Sequence, residues 1–213
     1  MSQSIVHIVD DDNALRKSLA WLVESDGYLV RDYSDCRDFL DNYEVKNPEC
    51  LLLDIRMPGM SGLELQEELT KHDISIPIVF LSAHGDVSMA VSAMKKGAVD
   101  FLLKPYDRDD LLICIKKAHN ISHQRHIDNI EISEIESRIT ILTPRETQVM
   151  DLVVEGKMNK VISSELGIEE KTVEIHRSRV MRKMQAKSLA SLVRMHMSYH
   201  AYAASHGERS EAE

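Results

Sequence analysis

Five polar side chains stand directly after apolar runs of the sequence and are the first candidates for chemistry. They are Asp10, Asp11, Asp54, Ser82 and Lys104. Clustered carboxylates are hard oxygen ligands that suit Mg²⁺, which binds one or two of them directly and keeps several waters. A carboxylate that attacks a phosphoryl group needs its charge masked, and Mg²⁺ and a lysine ammonium can mask it from opposite sides. The set therefore indicates a phosphoryl-accepting site, provided that the fold brings the five side chains together.

The apolar runs before these residues alternate with helical patterns over the first 118 residues. The strand-like runs are 5–9, 28–32, 50–53, 77–81 and 99–103. This alternation predicts an α/β doubly wound sheet of five parallel strands with helices on both faces. Because function in such sheets collects at the carboxyl ends of the strands, we expect the five side chains to meet at one rim. The Lys104–Pro105 bond is also a candidate for the cis isomer, which proline makes less costly.

Two of the intervening segments carry helix signals. Asn13 can cap the first helix and Gly27 can end it. A later helix is predicted where apolar residues repeat at helical spacing and stop at a glycine. Those residues are Val87, Ala90, Val91, Met94 and Gly97.

The net charge of −9 is divided unevenly along the chain. Residues 1–118 hold 13 basic and 21 acidic residues, whereas residues 143–200 hold 10 basic and 7 acidic ones. An acidic first part and a locally basic second part indicate two domains with different partners.

Composition excludes several other classes of protein. No stretch approaches the roughly 18 apolar residues that span a bilayer, and no signal peptide is visible at the start. Cys36, Cys50 and Cys114 fit neither a disulfide framework nor a zinc spacing. These features predict buried thiols in a cytoplasmic protein without a membrane partner.

From Thr143 onward the pattern is entirely helical. Thr143, Pro144 and Glu146 form the signature of a capped helix start, and a short second helix closes at Gly167. A third helix lies in the segment 171–194, which carries seven bases and one acid. A short helix, a tight turn with glycine and a helix rich in bases are typical of a helix-turn-helix DNA-binding domain.

The segment between the two patterns predicts a partly helical linker over 121–141. We expect the first domain over 1–120, the helix-turn-helix domain over 142–204 and a disordered polar tail over 205–213. Three histidines around the start of the linker stand at helical spacing, namely His119, His123 and His126. Such spacing could hold a metal ion, but a solvated helix face is the more common explanation.

The motifs resemble those of bacterial two-component response regulators, in the FixJ-like branch of the NarL/LuxR-type group. In the first domain the resemblance lies in IVDDD, LLLDIRMPGMSGLEL, FLSAHGD and KKGAVDFLLKP. In the second it lies in LTPRETQVMDLVVEGKMNKVISSELGIEEKTVEIHRSRVMRKMQAKS. It covers nearly the whole chain and implies a flavodoxin-like receiver followed by a small all-α LuxR-type domain. The function implied is a phosphorylation-activated transcriptional regulator rather than an enzyme.

Matched by position, the resemblance assigns roles to the acidic residues of the rim. It makes Asp54 the phosphoacceptor, and Asp10 and Asp11 the pair that serves Mg²⁺ together with Asp54. The backbone carbonyl of Arg56 is the further protein ligand that the resemblance implies. Lys104 is the expected partner of the phosphate.

The resemblance also implies a switch and its partners. Ser82 and Phe101 would shift around the phosphoryl group and remodel the surface near the fourth helix and fifth strand. The partners implied are a sensor histidine kinase as phosphoryl donor, double-stranded promoter DNA, and a second copy of the chain in a homodimer formed on phosphorylation. In the resembled family the last helix contributes to dimerisation on DNA, so Leu189, Leu192, Val193 and Met197 are expected either in such a contact or in the ordinary core of the domain.

A helical wheel separates two faces of the base-rich helix. Val173, Val180 and Met184 fall on the face expected to pack inward. The predicted DNA contacts are Lys171, Thr172, Glu174, Ile175, Ser178, Arg179, Arg182 and Lys183. The basic members are expected on phosphates, whereas Glu174 suits a cytosine amino group and Ile175 a thymine methyl.

Two other functions remain open from the sequence. Mg²⁺-dependent phosphatases of the haloacid dehalogenase type also use a strand-end aspartate, but they carry a second aspartate where this chain has Arg56. A DNA-binding protein with a constitutive, unphosphorylated dimerisation module is the other alternative, and the intact rim residues argue against it. Replacing Asp54 by asparagine would separate that alternative from a phosphorylation switch.

Overall fold

The chain divides into two compact units, Met1–Ile127 and Asp128–Glu213. The coordinates are a computed structural model, and the structure describes residues 4–45, 48–83 and 87–207, with side chains as far as residue 204. Each unit has a hydrophobic core of its own.

The first unit alternates strands and helices as the sequence predicts. Its strands are β1 (Ile5–Val9), β2 (Leu29–Tyr33), β3 (Glu49–Asp54), β4 (Ile78–Ser82) and β5 (Asp100–Leu103). Its helices are α1 (Asn13–Ser25), α2 (Cys36–Asn42), α3 (Gly62–Lys71), α4 (Val87–Lys95) and the first part of α5 (Arg108–Thr140).

All five strands are parallel, in the order β2-β1-β3-β4-β5. The strand order reverses beside β1 and β3, which is where doubly wound sheets bind ligands. Val9 pairs with Leu53 across these two strands. The following residues, Asp10 and Asp54, therefore lie side by side at the carboxyl-terminal rim.

Helices cover both faces of the sheet and bury two apolar layers. On one face α1 and α5 pack through residues such as Leu19 and Ile115. On the other face α2, α3 and α4 pack through Phe39, Leu65 and Ala93. The predicted doubly wound α/β class is confirmed.

The start of α1 differs from the prediction in its capping residue. Asp12, not Asn13, is the N-cap, and its carboxylate accepts hydrogen bonds from the N–H groups of Ala14 and Leu15 at 2.9 and 3.1 Å. These bonds lower the pKa of Asp12. Gly27 follows the helix with φ +87°, a conformation that glycine adopts without strain. Of the three consecutive aspartates Asp10, Asp11 and Asp12, the third therefore serves to cap α1.

The apolar stripe of α4 faces solvent. Val87 is 75% exposed, Val91 47% and Met94 43%. The residue of α4 that is buried in the core is Ala93. The spacing correctly predicted a helix, but the small side chain of Ala93 approaches the sheet and leaves the larger ones outside.

The second unit is a helical bundle. Beyond the end of α5 it contains α6 (Pro144–Val154), α7 (Asn159–Leu166), α8 (Glu170–Lys183) and α9 (Leu189–Gly207). Thr143 and Glu146 form the predicted capping box, and Gly167 ends α7 with φ +64°. The core takes one side chain or more from each helix, including Ile135, Val149, Ile162, Val180 and Leu192.

Helix α5 extends farther than the sequence analysis expected. Residues 121–140 of the predicted linker are helical throughout, and the two units divide after Ile127 rather than at residue 120. Much of this stretch is exposed, and its apolar residues are too widely spaced to give more than a weak helical signal. The predicted tail is wrong for residues 205–207, which belong to α9, and residues 208–213 lie outside the described residues.

Candidate functional site

The carboxylates of Asp10, Asp11 and Asp54 come together at the carboxyl-terminal rim of the sheet. One oxygen of each lies within 4.8 Å of the others. Asp10 and Asp54 are buried, whereas Asp11 is exposed. Within the described ranges, no other three His, Cys, Asp or Glu side chains converge in this way. Three oxygen donors with one side open to water fit Mg²⁺, which keeps part of its hydration shell.

The ammonium of Lys104 lies between two of these carboxylates. Its Nζ is 2.8 Å from Asp10 Oδ2 and 3.2 Å from Asp54 Oδ1. The backbone N–H of Lys104 donates to the carbonyl of Ser82 at 2.7 Å, which joins the ends of β4 and β5. The Lys104–Pro105 bond is cis, as predicted. One cation thus bridges the ends of β1, β3 and β5.

The electrostatics of Asp54 combine opposing effects. Burial raises the pKa of its carboxyl above the ordinary value, and the negative charge of Asp10 raises it further. The nearby charge of Lys104 lowers the pKa, but the net shift is upward. The rim therefore holds more negative charge than one lysine balances, and a further cation would be bound favourably there.

The other predicted residues of the rim occupy neighbouring positions. Ser82 ends β4 and is 2% exposed. The strand before it pairs Leu81 with Asp54, so the hydroxyl-bearing residue follows directly beside the acceptor strand. Phe101 pairs with Phe80 and packs, half-buried, against the core beneath α4. Arg56 lies in the β3–α3 connection with an exposed side chain.

The histidines at the start of the predicted linker do not form a cluster. His119 is buried, and its ring nitrogens lie 3.0 Å from the carbonyl oxygens of Ile5 and Ile115. His123 is exposed and His126 is half-buried. The three cysteines are free and buried, as predicted.

The base-rich helix α8 has the two faces that the wheel predicts. Val173, Val180 and Met184 are buried in the core of the helical unit. Most of the predicted DNA contacts are exposed: Lys171, Glu174, Ile175, Ser178, Arg179 and Arg182. Thr172 is half-buried near the start of the helix. The exposed face combines positive charge with short, acidic and apolar side chains, as a helix in a major groove requires.

Lys183 has a different place from the one predicted. Its Nζ lies 2.6 Å from the carboxylate of Glu146 and 2.9 Å from the carbonyl oxygen of Ile141. Glu146 is 2% exposed, and hydrogen bonds from Lys183 and from the backbone of Thr143 lower the pKa of its carboxyl to about 2. Lys183 therefore neutralises a buried acid, and its contact with DNA stays a prediction.

Comparison with known proteins identifies the domain family of each unit. A model of the response regulator receiver domain matches residues 6–116, and a model of bacterial regulatory proteins of the luxR family matches residues 140–196. The transcriptional regulatory protein FixJ of Azorhizobium caulinodans is 43% identical over 190 residues, covering 89% of this chain and 90% of that protein. The response regulator protein TmoT of Ectopseudomonas mendocina is 42% identical over 193 residues, covering 91% and 88%.

The chain belongs to the response-regulator family. Two solved structures are similar as well. That of response regulator StyR has a TM-score of 0.80 and 42% identity, covering 93% of this chain and all of that one. Full-length FixJ from B. japonicum has a TM-score of 0.56 and 38% identity, covering 94% and 99%. In the described part of this response regulator, no helix is long and apolar enough to span a membrane.

Arg16 holds the first loop of the receiver in place, although no motif in the sequence marks it as functional. Its Nη1 donates to the backbone carbonyl of Asp10 at 2.6 Å, and its Nε donates to Asp32 at 3.1 Å. The guanidinium therefore fixes the backbone between β1 and α1 from which Asp10 and Asp11 project. The signal in the sequence was weak, because a single arginine on the first turn of a helix has many ordinary explanations.

Gly62 is a second residue of this response regulator that the sequence analysis did not single out. A β-carbon on Gly62 would overlap the backbone carbonyl oxygen of Asp54 and approach Leu53 to 3.0 Å. The N–H of Gly62 donates to the carbonyl of Ile55 at 3.0 Å. The start of α3 is thereby held against the backbone of the acceptor strand, at a distance that only glycine permits.

Proposed function

We propose that this response regulator is a transcription factor switched by phosphorylation of Asp54. The observation that carries the proposal is the position of the Lys104 ammonium between Asp10 and Asp54, beside Asp11. Fixed positive charge at this point suits the oxygens of a phosphoryl group bound to Asp54, because preorganised charge stabilises them without reorganisation. If Lys104 only stabilised the fold by pairing with Asp10 and Asp54, the third carboxylate, Asp11, would have no role beside them.

In the proposed reaction, a carboxylate oxygen of Asp54 attacks the phosphorus of a phosphohistidine on a sensor histidine kinase. The O–P bond forms while the P–N bond breaks, and the departing imidazole takes up a proton. Asp10, Asp11, Asp54 and the backbone carbonyl of Arg56 would hold Mg²⁺, which when bound would neutralise charge on the transferred oxygens. Lys104 pairs with another phosphoryl oxygen from its position beside Asp54.

In the proposed switch, phosphorylation of Asp54 changes the surface of the receiver near α4 and β5. Ser82 donates its hydroxyl to the phosphoryl group, and Phe101 moves on the neighbouring strand. Exposed apolar side chains lie on α4 and β5, including Val87, Val91 and Leu103, and Leu103 pairs with Ser82 in the sheet. Exposed apolar side chains next to a switching strand favour a dimer that forms on phosphorylation, because contiguous apolar patches commonly mark protein interfaces.

The dimer would bring two copies of α8 to paired half-sites on promoter DNA. We propose phosphate contacts for Lys171, Thr172, Arg179 and Arg182, and base contacts for Glu174, Ile175 and Ser178. The exposed face of α8 supports this division, since bases surround the shorter readout residues. The site of action is the cytoplasm, where promoter DNA and the kinase's phosphohistidine meet.

The experiment is sizing by light scattering of the full chain with Mg²⁺, with and without beryllofluoride. Beryllofluoride stands in for a phosphoryl group on an aspartate. The variants are Asp54→Asn and, as a matched control, Asp12→Asn. Asparagine caps a helix as well as aspartate does, so the control changes the same chemistry two positions from Asp10 without disturbing α1.

The proposal expects wild type and Asp12→Asn to shift from monomer to dimer, and Asp54→Asn to stay unchanged. A dimer in every condition would instead support a constitutive dimerisation module. A shift that persists in Asp54→Asn would place the switch at another residue.

A further inference from the structure

Two histidines on α9 form a pair of potential metal ligands far in sequence from the acidic rim. His196 and His200 are four positions apart, so both side chains lie on one face of the helix. Their ring centroids are 4.2 Å apart, with an angle of 46° between the ring planes. His200 is exposed and the side chain of His196 is 19% exposed, so an ion can reach the pair from solvent.

A carboxylate from another helix stands against this pair. Oδ1 of Asp151, on α6, lies 3.3 Å from Nε2 of His196. Histidines that bind metals commonly direct their second ring nitrogen at a carboxylate, which orients the ring and raises the basicity of the ligating nitrogen. The contact with Asp151 leaves the other nitrogen of His196 available to an ion.

The chemistry of the pair differs from that of the receiver site. Imidazole nitrogens suit Zn²⁺, Cu²⁺ and Ni²⁺, whereas the oxygen ligands of Asp10, Asp11 and Asp54 suit Mg²⁺. Two protonated imidazoles in contact would repel each other, but two neutral ones can share a metal ion. We propose that His196 and His200 chelate one divalent transition-metal ion, with Asp151 positioning His196 and water completing the coordination.

Binding at this site would join α9 to α6 more firmly. Because Asp151 belongs to α6 and both ligands belong to α9, an ion held by the pair favours the packed form of the helical unit and stabilises it by mass action. The inference stands apart from the proposed function, since neither histidine takes part in phosphorylation.

The test is calorimetric titration of Zn²⁺ into the chelator-treated full chain, in saturating Mg²⁺ so that the acidic rim does not contribute. His200→Ala is the main variant because His200 is exposed and its loss should leave the fold intact. His196→Ala and Asp151→Asn complete the set. The matched control is the double variant His123→Ala/His126→Ala, which removes two histidines at helical spacing on α5.

We expect one Zn²⁺ per chain in wild type and in the α5 double variant. His200→Ala and His196→Ala should each weaken binding at least about tenfold, and Asp151→Asn should weaken it less than either, because the amide oxygen of asparagine can still accept a hydrogen bond from His196. Zn²⁺ should raise the thermal midpoint of the helical unit in wild type but not in His200→Ala. Unchanged binding in His200→Ala, or loss of binding in the α5 double variant, would overturn the proposal.

Discussion

The ammonium nitrogen of Lys104 lies 3.2 Å from Oδ1 of Asp54, although 50 positions separate the two residues in the chain. The same nitrogen also reaches Asp10 at 2.8 Å. The positive charge of Lys104 thus offsets the repulsion between the carboxylates of Asp10 and Asp54, which allows both to be buried side by side.

Replacing Lys104 by methionine should destabilise the receiver in a way that Mg²⁺ corrects. Without the ammonium, Asp10 and Asp54 face each other unbalanced, and we expect a loss of about 2 kcal/mol in the free energy of unfolding. Denaturant unfolding with and without Mg²⁺ measures the effect. Lys117→Met is the control, because Lys117 pairs with Asp100 at an exposed site and should change stability by less than about 1 kcal/mol. Equal losses in both variants would contradict the assignment.

Asp54→Asn should make the chain more stable at neutral pH in the absence of Mg²⁺. The pKa of Asp54 is raised in the folded state above its ordinary value of 3.8. A group of this kind adds stability that is fully present below the unfolded pKa and is lost as the pH rises through the folded pKa. The advantage of asparagine should therefore vanish in acid.

Unfolding followed as a function of pH tests this expectation. Asp35→Asn is the control, because Asp35 is an N-cap of α2 whose pKa is lowered by hydrogen bonds from backbone N–H groups, so its replacement by asparagine should give no gain in stability at neutral pH. A stability gain in Asp54→Asn that is constant at all pH values would mean that repulsion at the rim is not its cause.

Gly62→Ala should damage both stability and phosphorylation. The added methyl group would overlap the carbonyl oxygen of Asp54, so either α3 or the acceptor strand must move, at a cost of roughly 2 kcal/mol. Ser61→Ala serves as the control, since it removes the α3 N-cap at a cost of about 1 kcal/mol but leaves the contact with Asp54 alone. We expect slower phosphorylation by a small phosphodonor in Gly62→Ala only. Normal rates in that variant would show that Asp54 tolerates the shift.

Glu146→Gln should destabilise the helical unit at neutral pH and have less effect in acid. The pKa of Glu146 falls from 4.5 to about 2 on folding, so its contribution is present above the unfolded pKa and is lost as the pH falls through the folded one. Breaking a buried ion pair of this kind costs about 3 kcal/mol.

Thermal melts between neutral pH and pH 2 measure that loss. Glu165→Gln breaks the exposed pair with Lys157 in the same unit and should cost less than about 1 kcal/mol. Similar losses in the two variants would remove the distinction between the buried and exposed pairs.

Substitutions at two residues of α8 should have different effects, one on the affinity for DNA and the other on the preferred DNA sequence. Arg182→Ala should weaken DNA binding for all sequences and reduce the salt slope by about 1, as expected for a phosphate contact. Glu174→Ala should change the preferred base at one position instead. Selection from a randomised duplex pool, followed by salt titrations, distinguishes these effects. A changed preference in Arg182→Ala would exchange the two roles.

Much of the receiver was predictable because strand alternation is a strong local signal. Apolar runs followed by Asp54, Ser82 and Lys104 predict that these residues share one rim of the sheet, and in the structure they lie at adjoining strand ends. The capping residue was not predictable to one position, since Asp12 and Asn13 both suit an N-cap. Composition alone cannot decide which of two adjacent caps the backbone uses.

Other features depend on packing that no single stretch of sequence reports. On α4, Ala93 rather than Val91 faces the core of the receiver, because the helix lies close enough to the sheet that only a small side chain fits between them. Lys183 is a residue type that commonly contacts DNA phosphates, but in the structure it pairs with Glu146. Because Glu146 lies 37 positions earlier, no local pattern in the sequence reveals this pair. Arg16 and Gly62 act through backbone carbonyls, which carry no sequence signal.

The most direct test of the account is intact-mass spectrometry after incubation with phosphoramidate and Mg²⁺. Phosphoramidate carries a P–N bond like that of a phosphohistidine, so it tests the transfer step without a kinase. The account predicts that wild type and Asp12→Asn each gain one phosphoryl group and that Asp54→Asn gains none. A phosphoryl group on Asp54→Asn to the same extent as on wild type would contradict the assignment of Asp54 as the acceptor.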